Sequence, residues 1–238
     1  MSTIAATPQA EPPAKLIAPL WHTLLIVAFL VVLSVAGNRW LSPLLKGIPH
    51  GRELSYSVTL AIEWFTVFLV WLGVRLRSVR VSELIGGSWP SAMTILRDVG
   101  IALLFLLVSN IVLGIISHLL KNTPSEAVRQ MVPRGSSQIV FWILLSLSAG
   151  ICEEITFRGY FQKQFTALTG NVAIAILLQA AIFGGAHGYQ GWKSMIVIAV
   201  YGCLFGLLTN WVRNLRPGIM AHFLQDSVSG VLAGRFLK

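Results

Sequence analysis

Charge is what this chain of 238 residues has least of: Asp, Glu, Lys and Arg together make up 11%, where a soluble globular domain carries roughly 25%. That scarcity runs along nearly the whole chain and excludes both an ordinary water-soluble globule and a disordered protein. Acidic residues are the rarest, 9 against 18 Lys and Arg, which leaves a net charge of +9. The cations collect between apolar runs, where they set membrane orientation and meet anionic headgroups; a nucleic-acid partner is therefore excluded. Cysteine is nearly missing as well. Cys152 and Cys203 lie in apolar stretches without a CxxC pair, so there is neither a disulfide framework nor a thiolate metal site. What the chain has in quantity is apolar surface, with a mean hydropathy of +0.74.

A helix needs about 20 apolar residues to cross a bilayer core of ~30 Å. Seven runs approach that length: 19–36, 55–74, 99–119, 137–152, 171–187, 194–212 and 217–234. The expected fold is all-α, a polytopic membrane bundle of about seven transmembrane helices in a single domain over 19–238. A Pro/Ala-rich tail over 1–18 is expected to be disordered. Ser34-Val35-Ala36 would also suit a cleavage site, but the basic n-region of a signal peptide is poor, with Glu11 and a lone Lys15. The segment Arg158–Phe165 is amphipathic and is expected at the membrane interface. Alternation divides the 18 cations nine and nine. Proximity breaks the tie: Arg75, Arg77 and Arg80 follow the second span and Arg213 and Arg216 follow the sixth, which places those loops and the N-terminus in the cytoplasm.

Ionisable residues inside spans are costly and point to function. Glu153, Glu154, His187, His222 and Asp226 stand out, and they put the chemistry in the C-terminal half, about 137–235; the first half offers Glu63 and, near a span end, His118. Glu153 and Glu154 point about 100° apart on a helix. Arg158 is four residues beyond Glu154, the favourable order for an ion pair, so Glu154 and Arg158 are expected to hold the structure. Glu153 is then the carboxylate without a structural partner and suits a general base. His222 and Asp226 share a helix face at i,i+4, at the depth of Glu153. Straight alternation puts His187 at the opposite side. Either the polar stretch after Arg158 descends into the protein or the fifth span is short, tilted or broken, beside a polar cavity. Gly202 and Gly206 form a GxxxG that serves internal packing or dimerisation.

Glu153-Glu154-Ile155-Thr156-Phe157-Arg158 reads as EExxxR, Phe183 to His187 as FxxxH and His222 to Asp226 as HxxxD. In this order, on successive apolar spans, they resemble the CAAX-processing and bacteriocin-processing (CPBP, or Abi) family of intramembrane proteases, which includes prenyl-protein endopeptidases. The resemblance covers about 145–230. It implies an endopeptidase with a cavity open to the cytosol, acting on a peptide or protein substrate such as a lipidated C-terminus or a leader peptide. Glu153 would activate water with His187 assisting, and His222 would face the oxyanion. Asp226 falls where the prenyl-protease members have Asn, and an ionised Asp can only accept hydrogen bonds. A metal-free, glutamate-dependent mechanism is preferred. The zinc alternative would use His187, His222 and Glu153, although the HExxH signature is missing. Two other classes would use the same residues: an inactive membrane scaffold or immunity protein, and an ion-coupled transporter. The lack of an inverted repeat weighs against the transporter.

Overall fold

The computed structural model describes residues 15–36 and 48–236; most of the tail expected over 1–18 lies outside them. The described residues are helical, with no strand. In chain order they form α1 (Leu20–Ala36), α2 (Gly51–Arg75), the short α3 (Val81–Ile85), α4 (Ala92–Leu119), the short α5 (Glu126–Met131) and α6 (Ser136–Glu153). A π-helical segment (Glu154–Phe161) follows, then α7 (Gln162–Thr169), α8 (Val172–Ala186), a 3-10 turn (Gly188–Gln190), α9 (Trp192–Val212) and α10 (Arg216–Phe236). Local chemistry sets several boundaries. The Ser91 hydroxyl accepts from the Thr94 amide at the start of α4, and Asn171 Oδ1 accepts from the Ala173 and Ile174 amides at the start of α8. Gly170, at φ +65°, turns the chain between α7 and α8.

Each of the seven expected apolar runs falls on a helix of this integral membrane protein. Four helices are long and apolar enough to cross a membrane: Gly51–Arg75, Ala92–Leu119, Ser136–Thr169 and Trp192–Val212. Leu20–Ala36 and Val172–Ala186 are shorter apolar helices, and α10 interrupts its apolar residues with His222, Gln225 and Asp226.

Two expectations change. The fourth span does not stop at Glu153; α6, the π segment and α7 form one 34-residue helix, roughly 50 Å at 1.5 Å per residue. The amphipathic stretch after it is not a surface element either. Of Arg158–Phe165, six residues are buried and Lys163 and Phe165 are half-buried, and the Arg158 charge is matched inside the protein by Glu154.

Neighbouring helices meet through small residues and through polar side chains that reach backbone. Gly202 lies against Ala180 and Phe183, and Gly206 against Ile176, Gln179 and Gln162. The GxxxG of α9 therefore serves packing within the chain. Its uncovered carbonyls also accept hydrogen bonds: Gln179 Nε2 donates to Gly202 O at 2.9 Å and Gln162 Nε2 to Gly206 O at 3.0 Å. Gln164 fastens α1, accepting from the Ile17 and Ala18 amides and donating to Ala18 O and Thr23 Oγ1. At the start of α10, Arg216 Nε stands 3.0 Å from Asp98 Oδ2, and Trp89 Nε1 donates to the same carboxylate.

Candidate active site

One imidazole organises the polar interior. His222 is buried six residues into α10, with its ring stacked on Phe205 at 5.2 Å and edge-on to Phe183 and Tyr201. Its Nδ1 is 3.0 Å from Glu154 Oε1. Its Nε2 faces two further carboxylates, Glu153 Oε2 at 3.5 Å and Asp226 Oδ2 at 3.6 Å. Glu154 has no exposure and is pinned from the other side by Arg158, whose Nη1 donates to Oε1 at 2.9 Å. The Arg158 guanidinium lies 4.4 Å from the Phe183 ring centroid and 4.8 Å from that of Phe205, a favourable placement for a desolvated cation. The i,i+4 pair expected from the sequence is present, and Glu154 also holds His222, a contact between helices that spacing does not reveal.

Glu153, His187, His222 and Asp226 all line one cavity of about 360 Å³, within the range of small-ligand pockets, roughly 300–1,000 Å³. The depth conflict over His187 disappears with the long helix. The chain runs 16 residues onward from Glu153 to Thr169 and 15 back from Val172 to His187, so the two return to one level. The polar stretch does descend into the protein, and the fifth span is short. His187 Nδ1 is 2.8 Å from Phe183 O. A carbonyl can only accept, so Nδ1 carries a proton, and in the neutral ring Nε2 is then the acceptor.

The wall is not confined to the C-terminal half. Thr59 and Glu63 of α2, Leu113 of α4, and Val128, Met131 and Val132 also line it. Glu63, without a partner on sequence grounds, accepts from Ser148 Oγ at 2.6 Å and lines the cavity. Sequence reading passed over Tyr189, Tyr201 and Gln225, which line it too; tyrosines in apolar runs carry no signal that separates wall from packing. His22 and Asp98, near span starts, were also passed over, and both serve packing: His22 Nδ1 meets Tyr160 OH, and Asp98 holds Arg216. Cys152 is buried, with Ser148 Oγ 3.8 Å from its sulfur.

The cavity extends toward the end of the bundle that carries α5 and the 3-10 turn, where Val128, Met131, Tyr189 and Gln190 line it. The connections bearing Arg75, Arg77, Arg80 and Arg213 are at the other end, with the start of α1. Among the described residues, no group of three or more His, Cys, Asp or Glu side chains is arranged to hold a metal ion; His187, His222 and Glu153 share a wall without forming a ligand set.

Residues 135–228 match the family model described as type II CAAX prenyl endopeptidase Rce1-like. The match covers all three motifs. The chain is also similar to an uncharacterized protein, YpbD, of Bacillus subtilis (strain 168), with 29% identity over 86 residues. That alignment takes in 36% of this chain and 42% of the relative, so less than half of the relative's length is spanned. No solved structure matches the chain.

Proposed function

We propose that this protein is an intramembrane endopeptidase that hydrolyses a peptide bond in the cavity beside His222. The observation that carries the reading is the convergence of Glu153, His187, His222 and Asp226, from three separate helical segments, on one cavity in an otherwise apolar bundle. The match of residues 135–228 to the prenyl endopeptidase family supports the same chemistry.

In this reading Glu153 takes a proton from a water molecule as its oxygen attacks the scissile carbonyl carbon. His222, with Nδ1 held by Glu154, donates from Nε2 to the carbonyl oxygen as it becomes negative. Donation from both ring nitrogens requires the imidazolium, and the carboxylates of Glu154, Glu153 and Asp226 are its partners. His187 assists through Nε2, which can accept from the attacking water. The tetrahedral species then collapses: the C–N bond breaks and the leaving nitrogen takes the proton from the Glu153 carboxylic acid. The acyl product keeps the water's oxygen. Arg158 keeps Glu154 in place, and no metal enters any step. The substrate is a peptide or protein segment, with a lipidated C-terminus as the first candidate.

The topology that goes with this reading has the α5 end of the bundle in the cytoplasm and the N-terminus outside. Two of the cations that tied the sequence count are spent inside the protein: Arg158 has no exposure and pairs with Glu154, and Arg216 is 9% exposed and pairs with Asp98.

Comparative mapping of protein termini in membranes carrying wild type or Glu153→Gln tests the activity. A defined set of termini should vanish with the variant. Retention of the full set by a folded Glu153→Gln protein would refute the proposal.

A further inference from the structure

Catalysis as read above needs donors aimed at an oxygen that becomes negative, and two of the groups nearest that position cannot donate. Glu153 and Asp226, ionised, only accept. His222 Nε2 is a donor, shared between them. On the same wall stands Tyr201 of α9. The residue is 8% exposed, and its hydroxyl oxygen is buried with no hydrogen-bond partner among the described residues. Leaving such a group unmatched costs about 1–3 kcal/mol, and folding alone offers nothing in return.

The phenol is also held firmly. Its ring stacks on Phe105 at 16° with centroids 6.2 Å apart, packs on Phe205 at 4.5 Å and meets the His222 ring edge-on at 6.3 Å. Phe205 in turn stacks on His222. One aromatic cluster therefore fixes the tyrosine and the histidine relative to each other, the preorganisation that electrostatic stabilisation of a transition state requires. A tyrosine that served only packing would do as well without its oxygen.

We propose that Tyr201 is a further catalytic residue, whose hydroxyl donates a hydrogen bond to the oxyanion beside His222 Nε2. The proposal rests on the endopeptidase reading and adds to it the second donor. The termini lost in the Glu153→Gln membranes define cleavage sites, and a synthetic peptide spanning one of them is the substrate for the purified full-length protein. Tyr201→Phe removes only the unpartnered oxygen. It should lower kcat roughly 10²–10³-fold, leave KM unchanged and leave the protein at least as resistant to unfolding as wild type. Adding Asp226→Asn, which puts an amide N–H on the same wall, should restore part of the lost kcat. An unchanged kcat for Tyr201→Phe, or a loss that appears in KM or in stability instead, overturns the assignment while the endopeptidase reading stands. If Glu153→Gln removes no termini, the endopeptidase reading fails and takes this assignment with it.

Discussion

The two adjacent glutamates should respond in opposite ways to the same small change. Glu154→Gln keeps the size and a carbonyl oxygen for Arg158 and His222, but it removes the negative charge that compensates a guanidinium with no exposure. Arg158 would then be a buried cation facing only neutral groups, the Gln oxygen, the Gly202 carbonyl at 3.4 Å and the rings of Phe157, Phe183 and Phe205. Such ring contacts are worth up to about 2 kcal/mol, while breaking a buried ion pair from one side costs about 3–5 kcal/mol. A net loss near the lower end of that range is expected, since the Gln oxygen still accepts. Glu153→Gln should change stability by no more than about 0.5 kcal/mol, because that side chain is one-fifth exposed and its nearest partner stands at 3.5 Å. The assay is reversible SDS-induced unfolding in mixed micelles, followed by the fluorescence of the eight tryptophans. Replacing Arg158 by Met in the Glu154→Gln background removes the orphaned charge and should return most of the stability. A stable Glu154→Gln protein, or a Glu153→Gln protein that unfolds first, would refute the division of labour between the two carboxylates.

Three further outcomes follow from the geometry. Gly184→Ala places a Cβ 2.5 Å from Met195 O and 2.8 Å from Ala199 Cβ, an overpacking expected to cost about 1–3 kcal/mol in the same unfolding assay; a neutral result would mean that α8 and α9 are not so close. Asp98→Leu leaves Arg216 without its carboxylate at the root of α10, and should destabilise more than Arg97→Ala, whose side chain is 56% exposed; equal effects in the unfolding assay would count against this. For topology, single cysteines at Ser78 and at Ser125, in a background with Cys152 and Cys203 replaced by Ala, should label from opposite sides of intact cells with a membrane-impermeant maleimide. Labelling of the Ser78 position alone from outside is expected, and labelling of the Ser125 position alone reverses the proposed orientation.

The apolar runs were legible because hydropathy over about 20 residues reports helices directly, and the residues of three motifs were legible because charge in such helices is rare. The course of the fourth span was not. Glu153, Glu154 and Arg158 look like the end of a membrane segment to any reading that scores residues singly, since the rings that help bury Arg158 are those of Phe183 and Phe205, distant in sequence. The misplaced stop then produced the apparent separation of His187 from Glu153. The partners of His222 show the same limit: Asp226 is found by i,i+4 spacing, whereas Glu154, 68 positions away, is found only once the helices are assembled. Arg216 entered the orientation count as a loop charge because nothing in its neighbourhood announces Asp98.

The meeting of α9 with its neighbours is written in main-chain atoms. Gln162 and Gln179 end on the peptide oxygens of Gly206 and Gly202, and a mutation cannot delete a peptide oxygen. So long as those two positions stay bare, the lipid-facing letters of that helix are free to drift, and the scaffold behind Tyr201 keeps its register through changes that would loosen a seam made of side chains alone.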